Sequence, residues 1–244
     1  MRARVGPLLA ELHAHTTWSD GAFSIGQLVD IYGVRGFDVL CVTDHTVRAD
    51  DPWLDPDQRG DRYIRRESHD GYIDALVREA ARARKLYDLL VLPGLELTYN
   101  ALDPDQAAHA VAVGLHEFVS VDNGIEGAIE TARGAGAAII AAHPFESEPS
   151  ACPSRLTRRF SSDPGLRVLA HRFELFNRTT MFGWVAREGL PAVACGDFHR
   201  LEHLGGWKTL LPCAKDEEAV VGYLRSRRPA YLTRIDVAPR KLAA

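Results

Sequence analysis

The feature that most limits how this chain can fold is a recurrence: short apolar runs, most of them followed by a histidine or a carboxylate, alternate with stretches of helical spacing. Residues 8–13 read as a buried strand. A polar loop then ends at Ser24, a good N-cap, and Leu28, Ile31 and Tyr32 repeat at helical spacing until Gly36 stops the helix before the apolar run 39–42. This is a βαβ unit, whose strands should pair in parallel. Further strands are predicted at 89–92, 95–97, 110–115, 138–142, 172–176, 192–195 and 230–233, with helices over 71–87, 125–134, 180–188 and 216–227. Seven or eight strands alternating with helices predict an α/β fold, a closed or nearly closed barrel. A chain of 244 residues suits one core of that size, so residues 1–244 are read as a single domain. The stretch at about 47–68, rich in Asp, Arg and Pro and without periodicity, is read as an inserted, lid-like loop.

Composition excludes several classes. Apolar residues at 46% and charged residues at 25% match an ordinary soluble protein, not a disordered or fibrous one. A net charge of -4 with scattered Lys and Arg forms no basic stripe, which argues against a nucleic-acid partner; Arg65-Arg66 and 225–228 are local basic clusters. Cys41, Cys152, Cys195 and Cys213 form no Cys-x-x-Cys pair and read as reduced thiols of a cytoplasmic protein. No apolar window approaches a membrane span.

The chemistry lies where strands end. His13 and His15 end the first predicted strand, Asp44 and His45 the second, Glu96 follows the third, and His143 and Asp197-Phe198-His199 also follow strands. In a parallel α/β barrel the carboxyl ends of all strands open on one face, so residues far apart in sequence converge there. In His-x-His the two imidazoles share one side of an extended chain. Alone that motif is weak, but its recurrence with Asp20, Glu96 and Asp197 points to a cluster of two or three divalent ions, for which mixed imidazole and carboxylate ligands suit zinc, manganese or iron.

Five stretches together resemble a known superfamily. His13-Ala14-His15-Thr16 with Ser19-Asp20-Gly21, Thr43-Asp44-His45, Pro93-Gly94-Leu95-Glu96, Ala142-His143-Pro144 and Gly196-Asp197-Phe198-His199 are similar, in order and spacing, to the motifs of the polymerase and histidinol phosphatase (PHP) superfamily. The resemblance spans roughly residues 9 to 200. It implies a distorted (β/α)7, TIM-like barrel and a trinuclear metal site. His13, His15, Glu96 and Asp197 would hold one ion, Glu96 with His109 and His143 a second, and Asp20, His45 and His199 a third. His109 opens its apolar run instead of closing it, so its place rests on the resemblance, with His116 as the alternative. Asp44 is expected to orient a liganding imidazole from behind.

The resemblance implies a stand-alone hydrolase in which a metal-bridging hydroxide attacks the ester, with Glu96, Asp197 and His199 as the catalytic residues. A phosphoesterase acting on a small phosphorylated metabolite or a nucleotide is the leading expectation, with Arg48, Arg178 and Arg200 as candidate substrate-binding side chains. A carboxylic ester or carbamate hydrolase on the same site is the alternative, favoured by an apolar pocket around Trp18, Trp53 and Phe145. A non-catalytic metal-binding interaction module is the third reading. His69 and His203 lie in polar loops, where a histidine is more often inert than a general acid.

Overall fold

Local signals set the first elements. Ser24 accepts a hydrogen bond from the Gln27 N–H while Gln27 returns one to the Ser24 backbone, a reciprocal cap that starts α1 (Ile25–Gly33). The computed structural model describes residues 6–54, 63–146 and 157–236. Its strands are β1 (Leu8–Glu11), β2 (Val39–Val42), β3 (His45–Val47), β4 (Leu90–Tyr99), β5 (Ala108–Val113), β6 (Ala138–Ala142), β7 (Arg172–Asn177), β8 (Thr180–Met181), β9 (Ala192–Cys195), β10 (Gly206–Leu211) and β11 (Tyr231–Ile235). The helices after α1 are α2 (Arg66–Tyr87), α3 (Ile125–Gly134), the short α4 (Arg159–Ser162) and α5 (Pro164–Arg167), α6 (Gly183–Arg187) and α7 (Glu217–Arg225). Among the described residues no helix is long and apolar enough to cross a membrane.

The strands form one eleven-stranded mixed sheet in the order β11-β10-β1-β2-β4-β5-β6-β7-β8, with β3 on β4 and β9 on β7. β1-β2, β2-β4, β6-β7 and β7-β9 pair in parallel as expected. The expected α/β sheet is therefore mixed, curled toward a barrel, and it departs from an all-parallel order where β4-β5, β5-β6 and β1-β10 are antiparallel. The sheet curls until β1 and the segment after β9 meet: Ala14 bridges Phe198, the His15 N–H donates to Phe198 O at 2.8 Å, and the Phe198 N–H returns to His13 O at 3.1 Å. Thr209 of β10 stitches the same seam through its hydroxyl, which donates to Ala194 O and accepts from the Ala194 N–H. Successive residues of β2 face opposite ways, Leu40 and Val42 into one apolar cluster and Val39 and Cys41 into a second that also takes Val220, Tyr223 and Leu224 of α7.

Other differences have local causes. The two pieces at 89–92 and 95–97 are one strand, β4, because Pro93 keeps φ within the extended range and its carbonyl still accepts from the Gly114 N–H. The helix at 180–188 shrinks to α6, since Arg178 turns at φ 56° and folds Thr180–Met181 back on β7 as β8. The 47–68 stretch is anchored at both flanks. Asp51 is buried and accepts from Asn100 Nδ2, Ile64 is buried with its N–H on His45 O at 2.7 Å, and α2 already starts at Arg66. Its middle, 55–62, and Cys152 lie outside the described residues.

Candidate metal centre

The curl brings all nine proposed ligands to one mouth of the sheet. Three groups of donor atoms lie close enough to share an ion: His15, Asp20, His45 and His199; His13, His15 and Asp197; and His13, Glu96 and His143. Glu96, fully buried at the centre of β4, joins them, with its Oε2 3.3 Å from His13 Nε2 and 2.9 Å from His45 Nδ1, and its Oε1 3.2 Å from His143 Nε2.

The antiparallel β5 explains His109. A residue that opens an antiparallel strand stands at the same end of the sheet as residues that close parallel ones, and His109 pairs with Thr98 on one side and Ala142 on the other. Its Nδ1 is 3.1 Å from Glu96 Oε1, although it joins none of the three groups above. The alternative, His116, is exposed and bonded to Glu217 instead.

Proton positions follow from the partners. Asn100 Nδ2 donates to Asp51, so its Oδ1 accepts from the Nε2–H of neutral His109, leaving the Nδ1 lone pair aimed at the Glu96 carboxylate. His13 Nδ1–H donates to Glu174 Oε1 at 2.9 Å, which turns its Nε2 toward Glu96. The Thr157 hydroxyl donates to His143 O and so accepts from His143 Nδ1–H, which turns Nε2 inward as well. Burial lowers the affinity of His13 and His143 for a proton, but Glu96 with Asp197 for His13, and Glu96 for His143, outweigh it and raise both rings. The gaps between these nitrogens and the carboxylates therefore attract positive charge, which a proton or a metal cation can supply. Consistently, His13 Nε2, both ring nitrogens of His15, and Glu96 Oε2 are buried without a hydrogen-bond partner among the described residues. These residues fit a divalent metal cluster.

Electrostatics follow the same geometry. Burial acts to raise the carboxyl pKa of Glu96, but His45 and His13 outweigh it and hold Glu96 well below its ordinary value; His13 and His15 do the same for Asp197. Both stay ionised. Burial, reinforced by the neighbouring His45, pushes His15 down to about 3, so its ring is neutral at working pH. For His45 burial is outweighed by Glu96 and Asp20, which raise it to about 9.

Strain and close packing mark the site. Asp88, His143, Arg178 and Asp197 are the non-glycine residues at positive φ among those described; His143, at φ 28°, and Asp197, at φ 43°, are candidate ligands, and Arg178 touches Asp197. The motif glycines have steric causes: a Cβ on Gly21 would overlap the His15 carbonyl, and one on Gly196 the Glu11 carboxylate and the Lys208 ammonium.

Asp44 departs from expectation. Its carboxylate accepts from the Thr16 N–H, the Thr16 hydroxyl and the Ser19 hydroxyl at 2.5 Å, and among the described residues none of its hydrogen bonds goes to an imidazole. It therefore fixes the turn that carries Asp20 instead of a ligand ring. The rear support of His13 comes from Glu174, which sequence reasoning left out of the site; its Oε2 also accepts from the His143 N–H and from Asn177. A carboxylate inside the apolar strand Phe173-Glu174-Leu175-Phe176 was the available signal. Glu11 gave the same signal within Leu8–His13. Fully buried, it accepts from the Gly196 N–H at 2.7 Å, the His13 N–H and the Tyr32 hydroxyl, and lies 2.8 Å from Lys208 Nζ as an ion pair outside hydrogen-bond alignment.

The three arginines part ways. Arg178 donates from Nε and Nη2 to Asp197 O and from Nη2 to Asp197 Oδ2 at 2.9 Å, with Nη1 in none of these bonds. Arg48 stacks on Tyr99 and donates to Tyr99 Oη and Asn100 O, next to His109. Arg200 is exposed and turned to His203. Trp18 packs edge-on to Tyr72, Phe145 packs on Phe182, and Trp53 is exposed, so these three form no common wall. His69 lies between Tyr72 and Phe118.

No known family's model matches the chain. A stretch of 42 residues, 17% of the chain, is 40% identical to the DNA polymerase/3'-5' exonuclease PolX of Bacillus subtilis (strain 168) and spans 7% of that protein. The fold is similar to a two-domain protein of Bacteroides vulgatus containing a predicted PHP-like metal-dependent phosphoesterase, with a TM-score of 0.61 and 17% identity over 92% of this chain and 64% of that one. It is also similar to an amidohydrolase of Chromobacterium violaceum, with a TM-score of 0.54 and 16% identity over 92% of this chain and 97% of that one. These likenesses show the class of fold, a mixed α/β sheet curled toward a barrel. Within it, the fold is similar to that of the Bacteroides protein containing a predicted PHP-like metal-dependent phosphoesterase, and the five sequence motifs resemble those of the same superfamily.

Proposed function

We propose that this protein is a metal-dependent hydrolase of the PHP superfamily whose substrate is a small phosphate ester. The observation that carries the reading is the convergence of four buried imidazoles on two buried carboxylates: His13 Nε2, both His15 ring nitrogens and Glu96 Oε2 are without a hydrogen-bond partner among the described residues, and His109 and His143 face Glu96 Oε1. His13, His15 and Asp197 would hold one divalent ion, Glu96 with His109 and His143 a second, and Asp20, His45 and His199 a third. The chemistry that ions of the zinc, manganese or iron class supply is a lowered pKa for attacking water and polarisation of the ester oxygen.

The chain's own residues set what enters. Arg178, its Nε and Nη2 fixed on Asp197, keeps Nη1 to receive a phosphate oxygen beside the cluster. Arg48 is positioned by Tyr99 on the His109 side. Asp44 holds the Asp20 turn and Glu174 holds His13, so the donors are preorganised before substrate arrives. The dispersal of Trp18, Trp53 and Phe145 disfavours an aryl carboxylic ester, while the likeness to the Chromobacterium amidohydrolase keeps carbonyl substrates as the second reading.

The test is elemental analysis of freshly purified protein, coupled to turnover of a chromogenic phosphate monoester, a phosphodiester and a carboxylic ester with added manganese, zinc or iron. Two or three ions per chain with phosphate-ester turnover is the expected result. Turnover of the carboxylic ester alone promotes the second reading, and protein that binds no metal and turns over none of the three refutes both.

A further inference from the structure

The end of the sheet opposite the metal cluster carries a second concentration of charge. A cavity of about 330 Å³ lies where β7 and β9 begin, lined by Arg133, Arg167, Arg225, Arg227 and His171 against a single carboxylate, Glu188. From His171 to Asn177, at the mouth end of β7, is six residues, or about 20 Å of extended chain.

Among the described residues the charges here are poorly compensated. Arg167 reaches Glu188 at 3.6 Å and stacks on Trp184. Arg133 and Arg225 donate only to the backbone carbonyls of Leu169 and Gly136, and Arg227 has no polar partner. His171 Nδ1 accepts from the Ile139 N–H, so the neutral ring carries its proton on Nε2, which is unbonded. Burial, then Arg133 and Arg225, push His171 down to about 4, a sign of how positive the cavity is.

The arginine-bearing loop is also held in place. Arg172 is buried with no carboxylate partner among the described residues; its guanidinium donates to the carbonyls of Tyr223, Leu224, Ser226 and Arg228, where α7 ends. A cation fits a helix C-terminus. By gripping both sides of Arg227, it keeps Arg225 and Arg227 presented to the cavity in the absence of any ligand.

We infer that this cavity is a second ligand site, distinct from the metal cluster, that binds a small phosphate-bearing anion through the Arg225, Arg227 and Arg133 guanidiniums and the Nε2–H of His171. Guanidinium forks match phosphate oxygens in pairs, and the volume suits a small molecule. Leu190 and Pro191 at the rim offer apolar contact for an organic part. The inference stands independently of the reaction at the metal cluster.

Inorganic phosphate is titrated into the metal-containing protein, with the side-chain ¹H–¹⁵N signals of His171 as the readout, since these report the cavity and not the cluster. A saturable shift is expected, with affinity weakened about tenfold or more in Arg225→Ala/Arg227→Ala. Glu188→Gln, which removes the one opposing carboxylate, should tighten binding several-fold, a gain that structural damage would not produce. The inference is overturned by a His171 signal that does not saturate, by the same affinity in the double variant, or by no tightening in Glu188→Gln.

Discussion

Lys208→Met is expected to be among the most damaging single changes that leave the metal ligands untouched. Lys208 Nζ lies 2.8 Å from Glu11 Oε2, and both side chains are fully buried. Removing the ammonium leaves a buried carboxylate whose remaining partners are N–H groups and the Tyr32 hydroxyl, none carrying full charge. Breaking a buried pair in this way costs about 3–5 kcal/mol, which for a domain of this size lowers the melting temperature by on the order of 10 °C. Glu11→Leu should be no kinder, because it orphans the Gly196 N–H and the Tyr32 hydroxyl, at about 1–3 kcal/mol each. Glu11→Gln/Lys208→Met removes both charges and keeps an oxygen for Gly196, so it should recover at least about half of the single-variant loss. Urea unfolding at fixed metal concentration, with unchanged slope, measures all three. A Lys208→Met loss below about 1 kcal/mol, or no recovery in the double variant, would refute the reasoning that this pair anchors the strands under the site.

Further outcomes follow from the same geometry. Asp197→Ala and His15→Ala should each abolish hydrolysis and lower the metal content while circular dichroism stays native, since neither side chain belongs to the apolar core; an active variant of either kind overturns the ligand assignment. Glu174→Gln, which weakens the support behind His13, should reduce metal affinity by about 10–100-fold in a chelator competition, and an unchanged affinity would remove Glu174 from the site. His171 sits at about 4 when folded against about 6.5 unfolded, so between those values the unfolded chain binds the extra proton and stability falls as pH drops. His171→Gln should flatten the stability profile from pH 6.5 to 4, and a profile identical to the parent's would show that the histidine contributes nothing to it.

The sequence was most informative where chemistry and periodicity coincide. A histidine or carboxylate that ends an apolar run announces itself, so His13, His15, His45, His143 and Asp197 could be nominated without coordinates. Their partners could not. Glu174 and Thr157 act on rings 161 and 14 residues away in sequence, and no spacing rule links positions brought together only by strand order. Asp44 shows the converse: its position beside His45 suggested an imidazole partner, but its side chain turns to the Thr16–Asp20 loop because the Ala14–Thr43 contact brings that loop alongside.

The sequence by itself determined the α/β class, most of the strands, α1 and α3, and the residue types gathered for metal binding, because capping, hydrophobic period and ligand chemistry are local properties. The tertiary structure alone decided strand direction, and with it why His109, which opens β5, faces the same mouth as residues that close parallel strands. It also decided which carboxylates lie behind the ligands and which basic side chains converge at the far end. Pairing direction and cross-strand neighbours depend on free energies summed over the whole sheet, and no local window of residues contains that sum.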